Sequence, residues 1–215
     1  MLQATLSAIS TCIGNLIVFS IIPFAWWFFR HRKQEKFLKW IGIHTPHLKT
    51  KWWWLLVFAA FYLVLYNFDG EFLLSEKTLT VLNSDNTAIA SNQYAGLGIA
   101  AIVPAFLTTF IANGIAEEIL FRGFLCKRLS GKFGCTAGVW MQAFFFGLMH
   151  FLLVFASGMP VGIDFYLYEF GYTFLGALML GIANEKLFDG SIWPSICLHG
   201  IGNFISTLAV IFQCW

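Results

Sequence analysis

Six apolar runs, parted by short polar stretches, set out the plan of this chain. The first extends roughly from Leu6 to Phe29, long enough to cross a hydrocarbon layer of about 30 Å. The second, roughly Trp52 to Phe68, opens with Trp52, Trp53 and Trp54, whose rings suit the headgroup level of a bilayer. The third, roughly Tyr94 to Leu129, is too long for a simple span. The fourth covers roughly Cys135 to Ala156, the fifth Phe165 to Ala183 and the sixth Ile192 to Phe212. This pattern predicts an all-α fold, a polytopic membrane helical bundle of about six transmembrane helices.

The polar stretches orient the bundle. Arg30, Arg32, Lys33, Lys36, Lys39, Lys49 and Lys51 lie between the first two runs, and positive-inside patterning puts that stretch in the cytoplasm. The stretch from Asp69 to Gln93 carries Asp69, Glu71, Glu76 and Asp85 against a single Lys77, which fits the opposite side. Within it Asn83, Ser84, Asp85 and Asn86 read as a turn. Lys127, Arg128 and Lys186 return the chain to the cytoplasmic side, so both termini are expected outside. The chain divides into residues 1–93, two spans with a basic stretch and a polar external loop, and residues 94–215, the remaining helices. The first run lacks the basic flank and small-residue cleavage site of a signal peptide, so a retained first helix is expected.

Composition sharpens this. Apolar residues make up 59% of the 215 and charged ones only 11%, about half the charge of an ordinary soluble domain. The excess needs a lipid solvent. The net charge of +2 carries little information. The basic residues stand apart from most of the aromatic ones, so no nucleic-acid partner is expected. Cys12, Cys126, Cys135, Cys197 and Cys214 are odd in number and fit no zinc spacing, so free thiols are expected.

Ionisable groups at membrane depth are costly and face a partner or a cavity. The third run holds Glu117, Glu118 and Arg122, the fourth His150, the sixth His199 and Asn203. Glu118 and Arg122, four apart, can pair on one helix face. Glu117 then points about 100° away and is left to face something else. His199 and Asn203 share a face, as do Gln142, Phe146 and His150. Counted at about 1.5 Å per residue from the cytoplasmic ends, these groups reach comparable depths. A carboxylate and an imidazole can hold and deprotonate a water, and a second imidazole with an amide can donate to an oxyanion. The same two histidines and one glutamate are also a candidate zinc set. The HExxH pattern is absent. Asp164 and Glu169 are expected near the outer interface, and Asn113 and Gln142 either line the site or bridge helices. Gly171, Gly176, Gly181, Gly200 and Gly202 read as close-packing positions.

The strings EEILFR (117–122), FGLMH (146–150) and HGIGN (199–203) resemble the EExxxR, FxxxH and HxxxN motifs of the CPBP family. That family comprises type II CAAX prenyl endopeptidases and the Abi proteins of bacteriocin processing or immunity. The resemblance runs from the third apolar run to the C-terminus and marks 94–215 as a catalytic helical core. It implies an intramembrane protease open towards the cytoplasm. It also implies that Glu117 and His150 activate water, that His199 and Asn203 stabilise the oxyanion, and that Glu118 and Arg122 position the base. The family is described both as metalloprotease and as metal-independent glutamate protease, so the cofactor expectation stays open, with a divalent metal such as zinc as the candidate. The expected partners are a peptide or protein substrate, prenylated or bacteriocin-like, and membrane lipid. The expected location is a bacterial cell membrane. Two other classes are compatible with the same buried groups: a non-catalytic immunity or partner-binding protein, and a small transporter, whose paired broken helices are not evident here.

Overall fold

Where no water can reach the backbone, an apolar chain satisfies its own N–H and C=O groups as helix. The computed structural model follows this rule over the residues it describes, 2–47, 49, 52–66, 70–82 and 92–212. The turn expected at 83–86, together with Asp69, Asp85 and Cys214, lies outside them. The elements are α1 (Leu2–Arg30), α2 (Phe37–Trp40), α3 (Trp52–Tyr66), α4 (Glu76–Leu82), α5 (Gly98–Phe133), α6 (Cys135–Ser157), α7 (Ile163–Lys186) and α8 (Trp193–Ile211). No strand occurs among the described residues. Helices α1, α5, α6, α7 and α8 are long and apolar enough to cross a membrane. Helix α3, with 15 residues, is a shorter apolar helix; at 1.5 Å per residue it spans only about 22 Å.

Helix α5 explains why the third run is too long. It is not one regular helix. A 3-10 turn at Gly98–Ala101 leads into α-helix, then π-helix over Leu107–Ile115, three α residues Ala116–Glu118, and π-helix again over Ile119–Cys126. The π geometry bonds i to i+5, so it winds wider than an α-helix and rises less per residue. Helix α1 braces this stretch: Cys12 Sγ donates to the Leu107 carbonyl at 3.1 Å and Asn15 Nδ2 to the Ala112 carbonyl at 3.0 Å.

Glycine sets the approach of α5 to α8. A Cβ on Gly114 would stand 2.9 Å from the Gly200 Cα, and a Cβ on Gly200 would stand 2.5 Å from Phe110 Cδ2. Gly181 does the same for α6 and α7, since a Cβ there would lie 2.8 Å from Gln142 Nε2. Gln142 bridges these helices by donating to the Ala177 carbonyl at 3.0 Å. Gly171 and Gly176 differ from expectation: a Cβ at either meets nothing within 4 Å, so they are not close-packing positions.

The basic stretch is more than a solvated loop. Its charges at Arg32, Lys33, Lys36 and Lys39 are exposed, but Trp40 and Ile41 turn inward against Ile119 and Phe124 of α5. The Arg128 guanidinium lies 4.4 Å over the Trp40 ring. At the same end of the bundle Ile192 N donates to the Gly42 carbonyl at 2.9 Å and Ser191 Oγ to the His44 carbonyl at 2.7 Å. Lys127 Nζ donates to the Gly190 carbonyl at 2.6 Å and pairs with Glu185 at 3.3 Å. The C-terminal end of α5, the end of α7 and the start of α8 are thereby tied to the basic stretch.

Candidate active site

A cavity of about 350 Å³ lies among α3, α5, α6, α7 and α8. Glu117, Arg122, His150, His199 and Asn203 all line it. Five of the six candidate residues therefore meet at one wall. The sixth, Glu118, stands behind that wall with no exposed surface.

Glu118 is the anchor of the cluster. Its Oε1 lies 2.9 Å from Arg122 Nη1 one helical turn on and accepts a hydrogen bond from His199 Nδ1, also at 2.9 Å. The contact with Arg122 is an ion pair without hydrogen-bond alignment, since Arg122 Nη1 and Nε make no hydrogen bond among the described residues. Both partners are buried, which a charge tolerates only beside an opposite charge. The Arg122 guanidinium also lies 4.4 Å over the Phe146 ring.

Glu117 is held differently. Its Oε2 is buried without a hydrogen bond and stands 3.9 Å from His199 Nε2. The carboxylate thus has acceptor capacity left at the cavity wall. Glu117 and Arg122, five apart, line the same cavity, a spacing that a π-turn brings onto one face and an α-turn does not.

His150 has a fixed tautomer when neutral. Its Nδ1 lies 2.9 Å from the Phe146 carbonyl, which can only accept, so Nδ1 carries the proton. The lone pair is then on Nε2. Phe146 fills the centre of the cluster, 4.5 Å from the His150 ring and edge-on to His199 at 5.9 Å. This accounts physically for the aromatic residue four before the histidine.

Other lining residues were not anticipated. Glu169, Tyr172, Thr173, Gly176, Ala177 and Leu180 form one stripe of α7 along the cavity. Their spacing of three and four is a helical face legible in the sequence. Glu169 thus faces the cavity. Asp164 is the satisfied carboxylate of that helix: Ser75 N donates to it at 2.7 Å and Thr78 Oγ1 at 3.0 Å. Asn113 lines the cavity, whereas Gln142 does not. Tyr62 and Leu65 of α3 close one side. Cys12, Cys126, Cys135 and Cys197 are free thiols.

The residues do not fit a metal site as they stand. Among the described residues no three His, Cys, Asp or Glu side chains are grouped to hold a metal ion, whereas a catalytic zinc takes three protein ligands. Glu117 and His199 supply a pair only.

Residues 99–205 match the family model described as type II CAAX prenyl endopeptidase Rce1-like. All three sequence motifs fall inside the matched region. No curated protein and no solved structure matches the chain.

Proposed function

Because the chain belongs, through residues 99–205, to the type II CAAX prenyl endopeptidase Rce1-like family, we propose that it cleaves a peptide bond with water activated by Glu117 and His150. The observation that carries this reading is the convergence of Glu117, His150, His199 and Asn203, from three separate helices, on one cavity. Four polar groups at membrane depth each carry a cost, and a shared reaction explains them together.

In the proposed step a water lies between the Glu117 carboxylate and His150 Nε2. Its oxygen attacks the scissile carbonyl carbon, and its proton passes to this pair. The carbonyl oxygen becomes an oxyanion. Asn203 donates to it through its amide N–H. His199, oriented by its Nδ1 bond to Glu118, turns its Nε2 edge to the same oxygen. Collapse breaks the C–N bond, and the held proton moves to the leaving amine. No metal enters this step. The substrate of this reading is a membrane-associated peptide or protein, prenylated or bacteriocin-like, and the reading has it enter from the cytoplasmic half of the membrane.

The test is cleavage of a quenched peptide panel, prenylated and not, by detergent-purified protein beside Glu117→Ala and His150→Ala, with and without a chelator. Cleavage by the wild type that is lost in both folded variants supports the reading. Cleavage that survives both substitutions removes it, and loss of cleavage on chelation alone refutes the metal-free step.

A further inference from the structure

Glu169 is the one cavity carboxylate that the proposed reaction leaves without a task. It lies six residues into α7, about 9 Å along the helix axis, and lines the cavity. The other acids facing the helix core have their reasons. Glu118 is paired with Arg122 and His199, and Asp164 accepts from Ser75 and Thr78. The Glu169 carboxylate has neither a hydrogen bond nor an ion pair among the described residues. A structural role between helices would need a bond to a neighbouring helix, and no such bond of this carboxylate occurs among the described residues.

One turn away stands an acceptor. Thr173, one turn on, spends its hydroxyl proton on the Glu169 backbone carbonyl at 2.5 Å, which leaves its oxygen lone pairs. The cavity's arginine, Arg122, is committed to Glu118. Beyond Thr173 this face stays open, since a Cβ on Gly176 would meet nothing within 4 Å. A carboxylate and a hydroxyl oxygen one turn apart match a group that brings only donors. Ammonium and guanidinium are such groups. An apolar or acidic side chain seated there would leave the carboxylate desolvated and unpaired, at a cost.

We infer that Glu169 and Thr173 form a specificity subsite for a cationic substrate side chain, lysine or arginine, next to the bond that is cut. This rests on the endopeptidase reading above and adds a substrate preference to it.

The test uses the full chain in detergent and quenched peptides that differ at one position, carrying Lys, norleucine or Glu, with that position moved across the cleaved bond. The wild type is expected to favour Lys over norleucine at one position by about tenfold in kcat/KM, or about 1.4 kcal/mol. Glu169→Gln brings that ratio towards one, Thr173→Val lowers it by a smaller factor, and Glu169→Lys turns the preference towards the Glu peptide. A merely structural Glu169 would change both peptides alike and leave the ratio standing. Binding of the same peptides to Glu117→Ala, read by fluorescence anisotropy, reports the preference without turnover. A wild type that cuts nothing, with Lys-selective binding intact, counts against the endopeptidase reading and keeps the subsite. Equal affinity for Lys and norleucine at every position overturns the subsite.

Discussion

His199 Nδ1 donates to Glu118 Oε1 at 2.9 Å, a bond between residues 81 apart in sequence. Through it the second glutamate of the EExxxR motif orients the histidine of the HxxxN motif on another helix. Because the same oxygen faces Arg122 at 2.9 Å, α5 and α8 are joined through one buried carboxylate.

Removing that carboxylate leaves Arg122 buried and unpaired. Glu118→Ala is expected to destabilise the protein by about 3–5 kcal/mol. The same holds for Arg122→Ala, and the double variant should fall well short of the sum, since the two act on one pair. Denaturant unfolding in mild detergent measures all three. Additive losses would show that the pair contributes nothing as a pair.

Glu117 sits beside Glu118 yet should behave in the opposite manner. Its Oε2 makes no hydrogen bond, so Glu117→Gln should leave stability close to the wild type. Turnover should drop by about 10²–10⁴-fold, the usual share of a general base. Parallel unfolding and peptide-cleavage assays compare the two effects. A large stability loss with unchanged turnover would assign Glu117 to the scaffold.

Much of this was legible in the sequence, and the rest was hidden by particular geometry. The apolar runs gave the helices because a bilayer forces helix on such stretches. The Glu118–Arg122 pair followed from i,i+4 spacing. Regular α geometry could not show that Arg122 also reaches the cavity with Glu117, because no sequence pattern announces a π-helix over Ile119–Cys126. The expectation for Glu169 gives its depth, near the outer interface, but not the side it faces, although its stripe with Tyr172, Thr173 and Gly176 is a helical face. The inward turn of Trp40 and Ile41 was masked by the lysines and arginines around them.

Asn203 is predicted to act on the transition state and not on substrate affinity. Asn203→Ala should lower kcat by about 10²–10³-fold, the loss typical of one oxyanion donor, with KM little changed. Steady-state kinetics separate the two. A raised KM at unchanged kcat would move Asn203 from the reaction to ground-state binding.

The glycines of the bundle divide into two kinds, and one substitution distinguishes them. At Gly114 a new methyl group would stand 2.9 Å from the Gly200 Cα, a backbone atom that cannot step aside without moving α8. Gly114→Ala should therefore cost about 1–3 kcal/mol, as overpacking does. It should also lower turnover, because α8 carries His199 and Asn203 towards the cavity. At Gly171 the same methyl group meets nothing within 4 Å. There the lower backbone entropy of alanine in the unfolded chain is all that changes, and Gly171→Ala should be neutral or stabilising by up to about 1 kcal/mol. Unfolding midpoints and cleavage rates of the two variants, measured side by side, test the crossing directly. If Gly114→Ala proves as harmless as Gly171→Ala, then α5 and α8 do not approach closely enough for glycine to matter, and the distance from His199 to Glu118 must be set by something else.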